Sequence, residues 1–242
     1  MVDVHSHILY GIDDGCTTIE ESIETLINLK NKGFNKIIVT PHFIEGSRYI
    51  ADNALKKERF KQLKKIVEEK NLGIELYLGN EIYINANIHE HVMNREIYTL
   101  NKTRYILVEL PLYSEINNVE DYLYELKLQG YIPVIAHPER YEYFQKNYSK
   151  IDKLYESGVL FQSNYASLID RYGKDANKLL CYLLKNNMVT FMATDIHKPT
   201  FSLLDKFDEV KNKIINIVGE ERFNDISSNN AIKMLNDEEI EH

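Results

Sequence analysis

The sequence has few cysteines, and their positions exclude two classes of protein. The 242 residues contain only Cys16 and Cys181, which is too few for a disulfide framework and does not form a CxxC pair. Cysteine-dependent phosphatases need a reactive thiolate that is followed six residues later by an arginine. Ser22 and Asn187 occupy those two positions in this chain. We therefore predict that neither cysteine is catalytic.

Long apolar runs and an excess of positive charge are also missing. No apolar stretch approaches the ~18 residues of a membrane helix, and the amino terminus has no basic and then apolar signal, so we expect a cytoplasmic protein without membrane insertion. The 29 lysines and arginines are dispersed among 37 acidic residues, and the net charge is −8. This balance argues against a nucleic-acid partner. Tryptophan is absent, and we interpret the 17 tyrosines as packing residues rather than as a substrate platform.

Short apolar runs alternate with helical patterns along the chain. Most of these runs are almost entirely apolar, which is typical of parallel strands buried on both faces. The first helical pattern has apolar residues at helical spacing, a capping box formed by Thr17 and Glu20, and Gly33 at its end. The predicted strands are residues 36–40, 74–79, 105–110, 131–136, 159–163 and 189–194. The helical patterns cover residues 17–33, 53–73, 117–129, 148–157 and 174–187.

This alternation predicts an α/β fold with a parallel sheet and outer helices. There are about seven strand–helix units, and chains of this length often form one α/β barrel. No linker rich in proline, glycine or serine divides the chain. We therefore predict a single domain over residues 1–242, folded as a closed or distorted barrel.

Side chains that bind metals follow most of the apolar strands. His5 and His7 end the first strand, and their spacing points both side chains to the same side of an extended segment. In a barrel the carboxyl ends of all strands meet on one face, where active sites are built. The sequence therefore predicts a site with several metal ions on that face. The other residues of this kind at strand ends are His42, Glu81, Glu109, His137, Asp195 and His197.

Two further pairs of residues compete for the same role. Asp13 and Asp14 both follow the first histidine pair, and one of them could be only a turn residue. His89 and His91 repeat the HxH spacing, but they do not follow an apolar strand, and in a helix their side chains would face different sides. We predict that these two histidines are not ligands.

Taken together, six motifs resemble the polymerase and histidinol phosphatase (PHP) superfamily. The motifs are DVHSHILYGIDDG, TPHF, GNEIYI, ILVELP, AHPERY and TDIH, and they keep the superfamily's order. Within it they resemble the bacterial manganese-dependent protein-tyrosine phosphatases of capsule and exopolysaccharide loci, the CpsB/YwqE type. The resemblance implies a distorted (β/α)7 barrel, similar to a TIM barrel, that holds three divalent metal ions.

The resemblance also implies three groups of ligands, with Glu81 bridging the first two. The first group is His5, His7, Glu81 and Asp195. The second group is Glu81, Glu109 and His137. The third group is Asp14, His42 and His197, so the resemblance selects Asp14 rather than Asp13. A mixture of imidazole and carboxylate suits Mn, Fe or Zn better than it suits an all-oxygen cage, and we expect Mn.

Hydrolysis of a phosphate ester is the activity that this resemblance implies, with a metal-activated hydroxide attacking the phosphate. The main hypothesis is a protein-tyrosine phosphatase that acts on the tyrosine-rich carboxyl-terminal tail of a bacterial kinase controlling polysaccharide synthesis. It leaves room for a homo-oligomer. Two alternatives stay open: a phosphatase of a small phosphomonoester such as histidinol phosphate, and a non-catalytic, metal-stabilised regulatory protein.

Two arginines are candidates for contact with the substrate phosphate. Arg140 follows His137 by three residues and could bind phosphate through its forked guanidinium, with a surface salt bridge as the alternative. Arg48, in the loop after His42, is the weaker candidate. The segment after Asp195 departs from the family pattern because it carries Lys198 and no arginine, which leaves the selection of substrate open.

Overall fold

Nine strands, all paired in parallel, alternate with helices through residues 1–241, the part of the chain that this computed structural model describes. The strands are β1 (Val2–Asp3), β2 (Lys36–Val39), β3 (His42–Phe43), β4 (Glu75–Leu78), β5 (Glu81–Tyr83), β6 (Tyr105–Glu109), β7 (Ile132–Ala136), β8 (Leu160–Asn164) and β9 (Phe191–Ala193). All six predicted strands are confirmed. Residue 242 of the expected single domain lies outside the described residues.

Ten α-helices and four short helical turns connect the strands in the described part of the chain. The helices are α1 (Ile19–Asn31), α2 (Asn53–Glu69), α3 (Ile88–Met93), α4 (Val119–Leu128), α5 (Glu142–Lys146), α6 (Tyr148–Glu156), α7 (Lys174–Lys185), α8 (Leu203–Val218), α9 (Glu220–Asn224) and α10 (Asn230–Leu235). The turns are Leu100–Lys102, Pro138–Arg140, Tyr165–Ile169 and the π-helical Asp225–Asn229. Between residues 1 and 241, no helix combines the length and the apolar character that crossing a bilayer requires.

The nine short strands form a closed barrel that has seven strand positions. β3 continues β2 after residues 40–41, and β5 continues β4 after residues 79–80, so two of the seven positions are each occupied by two consecutive strands. The ring closes where Ser6, just beyond β1, bridges Ile196, just beyond β9. The predicted distorted (β/α)7 barrel is confirmed. Its distortion lies in the two interrupted positions and in a closure where β1 and β9 share an isolated bridge instead of a continuous strand pairing.

Alternate residues of the longer strands enter two different apolar clusters. In β6, Tyr105 and Leu107 belong to a small cluster made mostly of strand residues, whereas Ile106 and Val108 belong to a larger cluster that includes the helices. This division follows from the two-residue period of a strand. The smaller cluster therefore fills the barrel interior, and the larger one packs the helices around the barrel.

The carboxyl-terminal segment covers the amino-terminal ends of the strands. Arg104, directly before β6, donates its backbone N–H to Asp237 Oδ1 (2.8 Å), and the Tyr105 hydroxyl donates to the carbonyl oxygen of Glu238 (2.6 Å). Asn230 on α10 donates to the carbonyl oxygen of Thr190, before β9 (3.0 Å). With this end of the barrel covered, the opposite face, at the carboxyl ends of the strands, is left for the predicted site.

The start of α1 differs from the prediction by one residue. Thr18 is the N-cap, with extended backbone (φ −124°, ψ 159°), and its hydroxyl accepts the backbone N–H of Glu21 (3.2 Å). The Glu21 carboxylate accepts from the backbone N–H and the hydroxyl of Thr17 (2.7 and 2.8 Å). The capping box predicted for Thr17 and Glu20 is therefore wrong, because Thr17 lies one residue outside the position whose side chain can reach the first turn.

Closure of the barrel can be tested at Asp3, which is fully buried. Its Oδ1 accepts the backbone N–H of Thr194 (3.0 Å), and its Oδ2 accepts the Thr194 hydroxyl (2.5 Å). Asp3→Ala leaves both donors buried without an acceptor, so we expect it to lower the free energy of unfolding by about 1–3 kcal/mol. Urea denaturation in the presence of chelator measures the change without a contribution from bound metal.

Asp3→Asn is the matched control, because an amide oxygen keeps one acceptor for Thr194. Asp3→Asn should lower the free energy of unfolding clearly less than Asp3→Ala does. Equal stability of Asp3→Ala and the unmodified chain would contradict this account of barrel closure.

Candidate metal centre

All nine predicted metal ligands lie at the carboxyl ends of the barrel strands, around one cavity of about 410 Å³ that we call the metal cavity. His5 and His7 are fully buried beneath it and contact Glu81, which lines it. The structure thus brings together residues that are up to 192 positions apart, from His5 to His197. The other predicted ligands that line the metal cavity are Asp14, His42, Glu109, His137, Asp195 and His197.

The orientation of His5 and His7 shows what the centre can bind. His5 Nδ1 lies 2.7 Å from the side-chain oxygen of Gln162, and His7 Nδ1 lies 2.8 Å from Asp13 Oδ2. Since both partners are acceptors, the hydrogen-bond network assigns the ring proton to Nδ1 in each histidine. Each Nε2 then carries a free lone pair, and the two Nε2 atoms face each other at 3.1 Å.

Two carboxylates point to the same place. Glu81 Oε2 lies 3.3 and 3.2 Å from the Nε2 atoms of His5 and His7. Asp195 Oδ1 lies 3.5 and 3.4 Å from the same two atoms. With both imidazoles neutral, these four atoms are all acceptors and repel one another in a buried site, and a shared cation removes this repulsion. The donor set, two imidazoles and two carboxylates, fits a divalent transition metal.

Further ligand groups overlap with the first one. Within each of three further sets, the ligand atoms lie within 4.8 Å of one another. The sets are His7, Asp14, His42 and His197; His5, His137 and Asp195; and His42, Glu81 and Glu109. The first set contains the third group implied by the resemblance. The members of the implied second group also lie close together, since His137 Nε2 lies 2.8 Å from Glu81 Oε1 and 3.8 Å from Glu109 Oε1. The number of ions and the ligands of each ion stay predictions.

The same crowding of acceptors shifts the acidity of the centre. Burial and the charge of Glu81 raise the pKa of Glu109 to about 8. Burial lowers the pKa of His5, but the carboxylates of Glu81 and Asp195 outweigh burial and raise it to about 9. The centre therefore retains protons where it holds no other cation, and a metal ion has to displace them.

Three polar residues hold the proposed ligands, and sequence analysis did not assign them this role. Asp13 Oδ2 accepts both from His7 Nδ1 and from the backbone N–H of His42 (2.8 and 2.9 Å). Gln162 binds His5 and donates to Asn164 (2.9 Å), and Asn164 donates to Asp195 Oδ2 (2.8 Å). Asp13 was visible in the sequence as half of an aspartate pair, whereas no local signal marked Gln162 or Asn164.

The backbone around the centre is constrained at several positions. A Cβ atom at Gly15 would lie 1.9 Å from the carbonyl oxygen of His7, so the turn after the aspartate pair packs against His7 only with glycine there. His137 and Asp195 have left-handed backbone conformations (φ 33° and 50°). Such conformations cost of order 1–3 kcal/mol for residues other than glycine and cluster at functional sites.

The two candidate arginines have different environments. Arg140 is half-buried and lines the metal cavity, and its Nη1 donates to Asp195 Oδ2 (2.9 Å). The salt bridge considered as an alternative is therefore present, but it joins Arg140 to a proposed ligand rather than to a surface acid. Arg48 is exposed, donates to the Tyr49 hydroxyl (2.7 Å) and does not line the metal cavity, although Tyr49 does. A role for Arg48 at the phosphate stays a prediction.

A closed α/β barrel whose strand ends gather buried imidazoles and carboxylates defines an α/β-barrel metalloenzyme. Within this class, the family model described as "Capsular polysaccharide synthesis, CpsB/CapC" matches residues 1–236. The chain belongs to this family.

Similar proteins agree with this assignment. The putative tyrosine-protein phosphatase CapC of Staphylococcus aureus is 37% identical over 216 residues, which cover 88% of this chain and 84% of the relative. The tyrosine-protein phosphatase YwqE of Bacillus subtilis is 35% identical over 197 residues, which cover 81% of this chain and 77% of the relative. A crystal structure from work on YwqE and on CpsB of Streptococcus pneumoniae, described as metal-dependent tyrosine phosphatases, has a TM-score of 0.91 and 32% identity. The match covers 100% of this chain and 96% of that one.

Removing the acceptor that orients His7 should weaken metal binding without removing a ligand. We expect Asp13→Ala to reduce the affinity for Mn²⁺ about 10- to 100-fold, as is typical when the partner of a metal-binding histidine is lost. Calorimetric titration of the metal-free protein with Mn²⁺ measures the change. Asp13→Asn is the control, since its amide oxygen still accepts from His7, and it should lose less affinity. An unchanged affinity in Asp13→Ala would contradict the orienting role.

Proposed function

We propose that this chain is a metal-dependent protein-tyrosine phosphatase. The observation that carries the proposal is the convergence of two imidazole lone pairs and two carboxylates at 3.1–3.5 Å, on the floor of an open cavity. Membership of the CpsB/CapC family supports it, because the relatives in this family are named tyrosine-protein phosphatases.

The chain's own residues supply binding, orientation and charge. Divalent ions held by the proposed ligands would polarise the phosphate oxygens and lower the pKa of a water molecule. Arg140 holds Asp195 with Nη1 and lines the metal cavity, and its guanidinium has further N–H groups that would offer donors to a phosphate there. The buried network around His5 and His7 keeps the centre in place before substrate arrives, which is the basis of electrostatic preorganisation.

An aromatic wall beside the centre fits the ring of a phosphotyrosine. Tyr49, Tyr83 and Tyr113 line the metal cavity, and the apolar side chains of Ile44 and Leu112 lie with them. The Tyr49 ring stacks on His42 at 5.8 Å, and Tyr113 is 79% exposed at the mouth. These tyrosines, which sequence analysis assigned to packing, offer faces and edges for contact with a phenyl ring. A small alkyl phosphate would leave the same surface uncovered.

Neither cysteine has the environment of a nucleophile. Cys16 is fully buried, its thiol donates to the carbonyl oxygen of His197 (3.5 Å), and burial raises its pKa. A reactive thiolate needs the opposite shift. Cys181 donates to Asn177 on its own helix, α7 (3.4 Å). Chemistry without a covalent protein intermediate agrees with both observations.

The physiological setting that we propose follows from the family. The substrate would be a phosphotyrosine in the carboxyl-terminal tail of a bacterial kinase that controls capsular or exopolysaccharide synthesis, with Mn as the metal. Both cysteines are free, which is typical of proteins in the reducing cytoplasm. A homo-oligomer stays a prediction.

Dependence on metal and independence from thiol can be tested together. We expect chelation to abolish hydrolysis of para-nitrophenyl phosphate and of a phosphotyrosine peptide, and added Mn²⁺ to restore both. The double variant Cys16→Ser, Cys181→Ser should keep this behaviour, because no thiol reacts. Elemental analysis after reconstitution should find more than one metal ion per chain. At most one equivalent would overturn the multinuclear centre, and an inactive double variant with its metal intact would overturn the mechanism.

A second test distinguishes a direct contact of Arg140 with the phosphate from an indirect effect in which Arg140 only orients Asp195. Arg140→Ala should lower kcat/KM by on the order of 10²–10³, about 2–4 kcal/mol, because a charged contact to the transferring group is lost. Asn164→Ala removes the other donor to Asp195 Oδ2 and keeps the guanidinium. The loss of kcat/KM in Asn164→Ala should be at least tenfold smaller than in Arg140→Ala. Metal content is measured in both variants. Equal losses of activity and of metal would mean that Arg140 acts only through Asp195.

A further inference from the structure

A second cavity of about 420 Å³ adjoins the metal cavity, and we call it the side cavity. Arg140, Asp195 and His197 line both cavities, so the two are neighbours that share one wall. The mechanism proposed above gives the side cavity no role. Its remaining walls are formed by Arg171, Tyr172, Lys198, Thr200, Phe201 and Ser202.

The side cavity has two cationic side chains that form no ion pair within the described part of the chain. Arg171 and Lys198 are exposed, and among residues 1–241 neither forms an ion pair. The Arg171 guanidinium lies over the ring of Phe201, 4.6 Å from its centroid, which fixes its position and leaves its N–H groups free to donate. Lys198 forms no ion pair with the exposed carboxylate of Glu21 and interacts with it only electrostatically at longer range.

Nearby carboxylates are engaged elsewhere. Asp195, the only acid that lines the side cavity among the described residues, is paired with Arg140 and faces the proposed metal ions. Asp170, the residue before Arg171, accepts from Asn177 (2.8 Å) and does not line the cavity. A local excess of positive charge in a chain of net charge −8 indicates a site for an anion.

The start of α8 adds to this excess. Ser202, its N-cap residue, lines the side cavity, and its side chain makes no capping hydrogen bond. The partial positive charge of a helix amino terminus favours an anion at this end. This partial charge adds to the positive charge of Arg171 and Lys198, and the helix terminus alone would not make an anion site.

We propose that the side cavity binds a second anionic group of the same substrate, a carboxylate or a phosphate close to the phosphotyrosine that is hydrolysed. This proposal rests on the proposed function, since Arg140 would then lie between the reacting phosphate and the second anion. The preferred substrate is accordingly a peptide with an acidic residue or a further phosphotyrosine beside the reacting one.

Three series of phosphotyrosine peptides test the proposal with the Mn-loaded protein. One series has neutral neighbours, one carries a glutamate and one carries a second phosphotyrosine, placed at successive positions on either side. We expect kcat/KM to be about tenfold higher with the anion at its best position than with neutral neighbours, which is the size of one charge-assisted contact at a partly exposed site. The gain should appear mainly in KM and should shrink at high salt. The glutamate and phosphotyrosine series show which source of the anion is preferred.

Single substitutions test whether Arg171 is responsible for the preference for anionic peptides. In Arg171→Ala the ratio between anionic and neutral peptides should fall from about ten to near one. Arg171→Glu should reverse it, so that a lysine neighbour becomes preferred over a glutamate neighbour. Lys206→Ala is the matched control, because it removes one positive charge from an exposed position of α8 that does not line the side cavity, and it should keep the ratio.

Two results would overturn the proposal. One is the absence of any preference for anionic peptides in the unmodified protein. The other is an equal loss of kcat/KM on neutral and anionic peptides in Arg171→Ala, which would make Arg171 a clamp for the reacting phosphate. Failure of the proposed function is distinguishable from both, because the Mn-loaded protein would then hydrolyse none of the three series.

Discussion

Repulsion between buried acceptors is the constraint on which the rest of this structure depends. His5 and His7 turn their Nε2 atoms toward each other at 3.1 Å, and carboxylate oxygens of Glu81 and Asp195 point to the same place. In a buried site of low dielectric, such an arrangement has a high electrostatic energy until cations occupy it. The surrounding fold therefore has to hold the acceptors together against their own repulsion.

The barrel meets this constraint with the same bonds that close it. The backbone N–H of Asp195 donates to the carbonyl oxygen of His5 (3.0 Å), and the N–H of His7 donates to the carbonyl oxygen of Ile196 (2.9 Å). Asp13 and Gln162 fix the two imidazoles from behind. Because the strands that close the ring also carry the acceptors, cations bound there stabilise the folded state as well as enabling chemistry.

Arg140 connects the metal centre to the surface that surrounds it. It pairs with Asp195, its guanidinium lies over the ring of Tyr172 at 4.4 Å, and it forms part of the wall between the metal cavity and the side cavity. The aromatic wall lies in one cavity and the unpaired cations lie in the other. A phosphorylated aromatic residue with an anionic neighbour matches this division of apolar and positive surface.

The sequence by itself determined the strands and the residue types at their ends. Most of the buried strands are local apolar runs, Glu109 lies near the end of one such run and His42 lies two residues beyond another, so one-dimensional spacing carried the information. The rule that parallel strands end on one face then predicted that these side chains meet. Their roles as ligands of particular ions stay predictions.

Only the tertiary structure decided how these side chains are held and what surrounds them. Gln162 reaches His5 across 157 positions, and Arg140 pairs with Asp195 across 55. Tyr113 and Arg171 acquire their places from the packing of separate loops. Such contacts depend on the curvature of the closed barrel and on side-chain rotamers, which local periodicity does not encode. Sequence spacing indicated which residues arrive at the site, and packing decided which atoms face each other there.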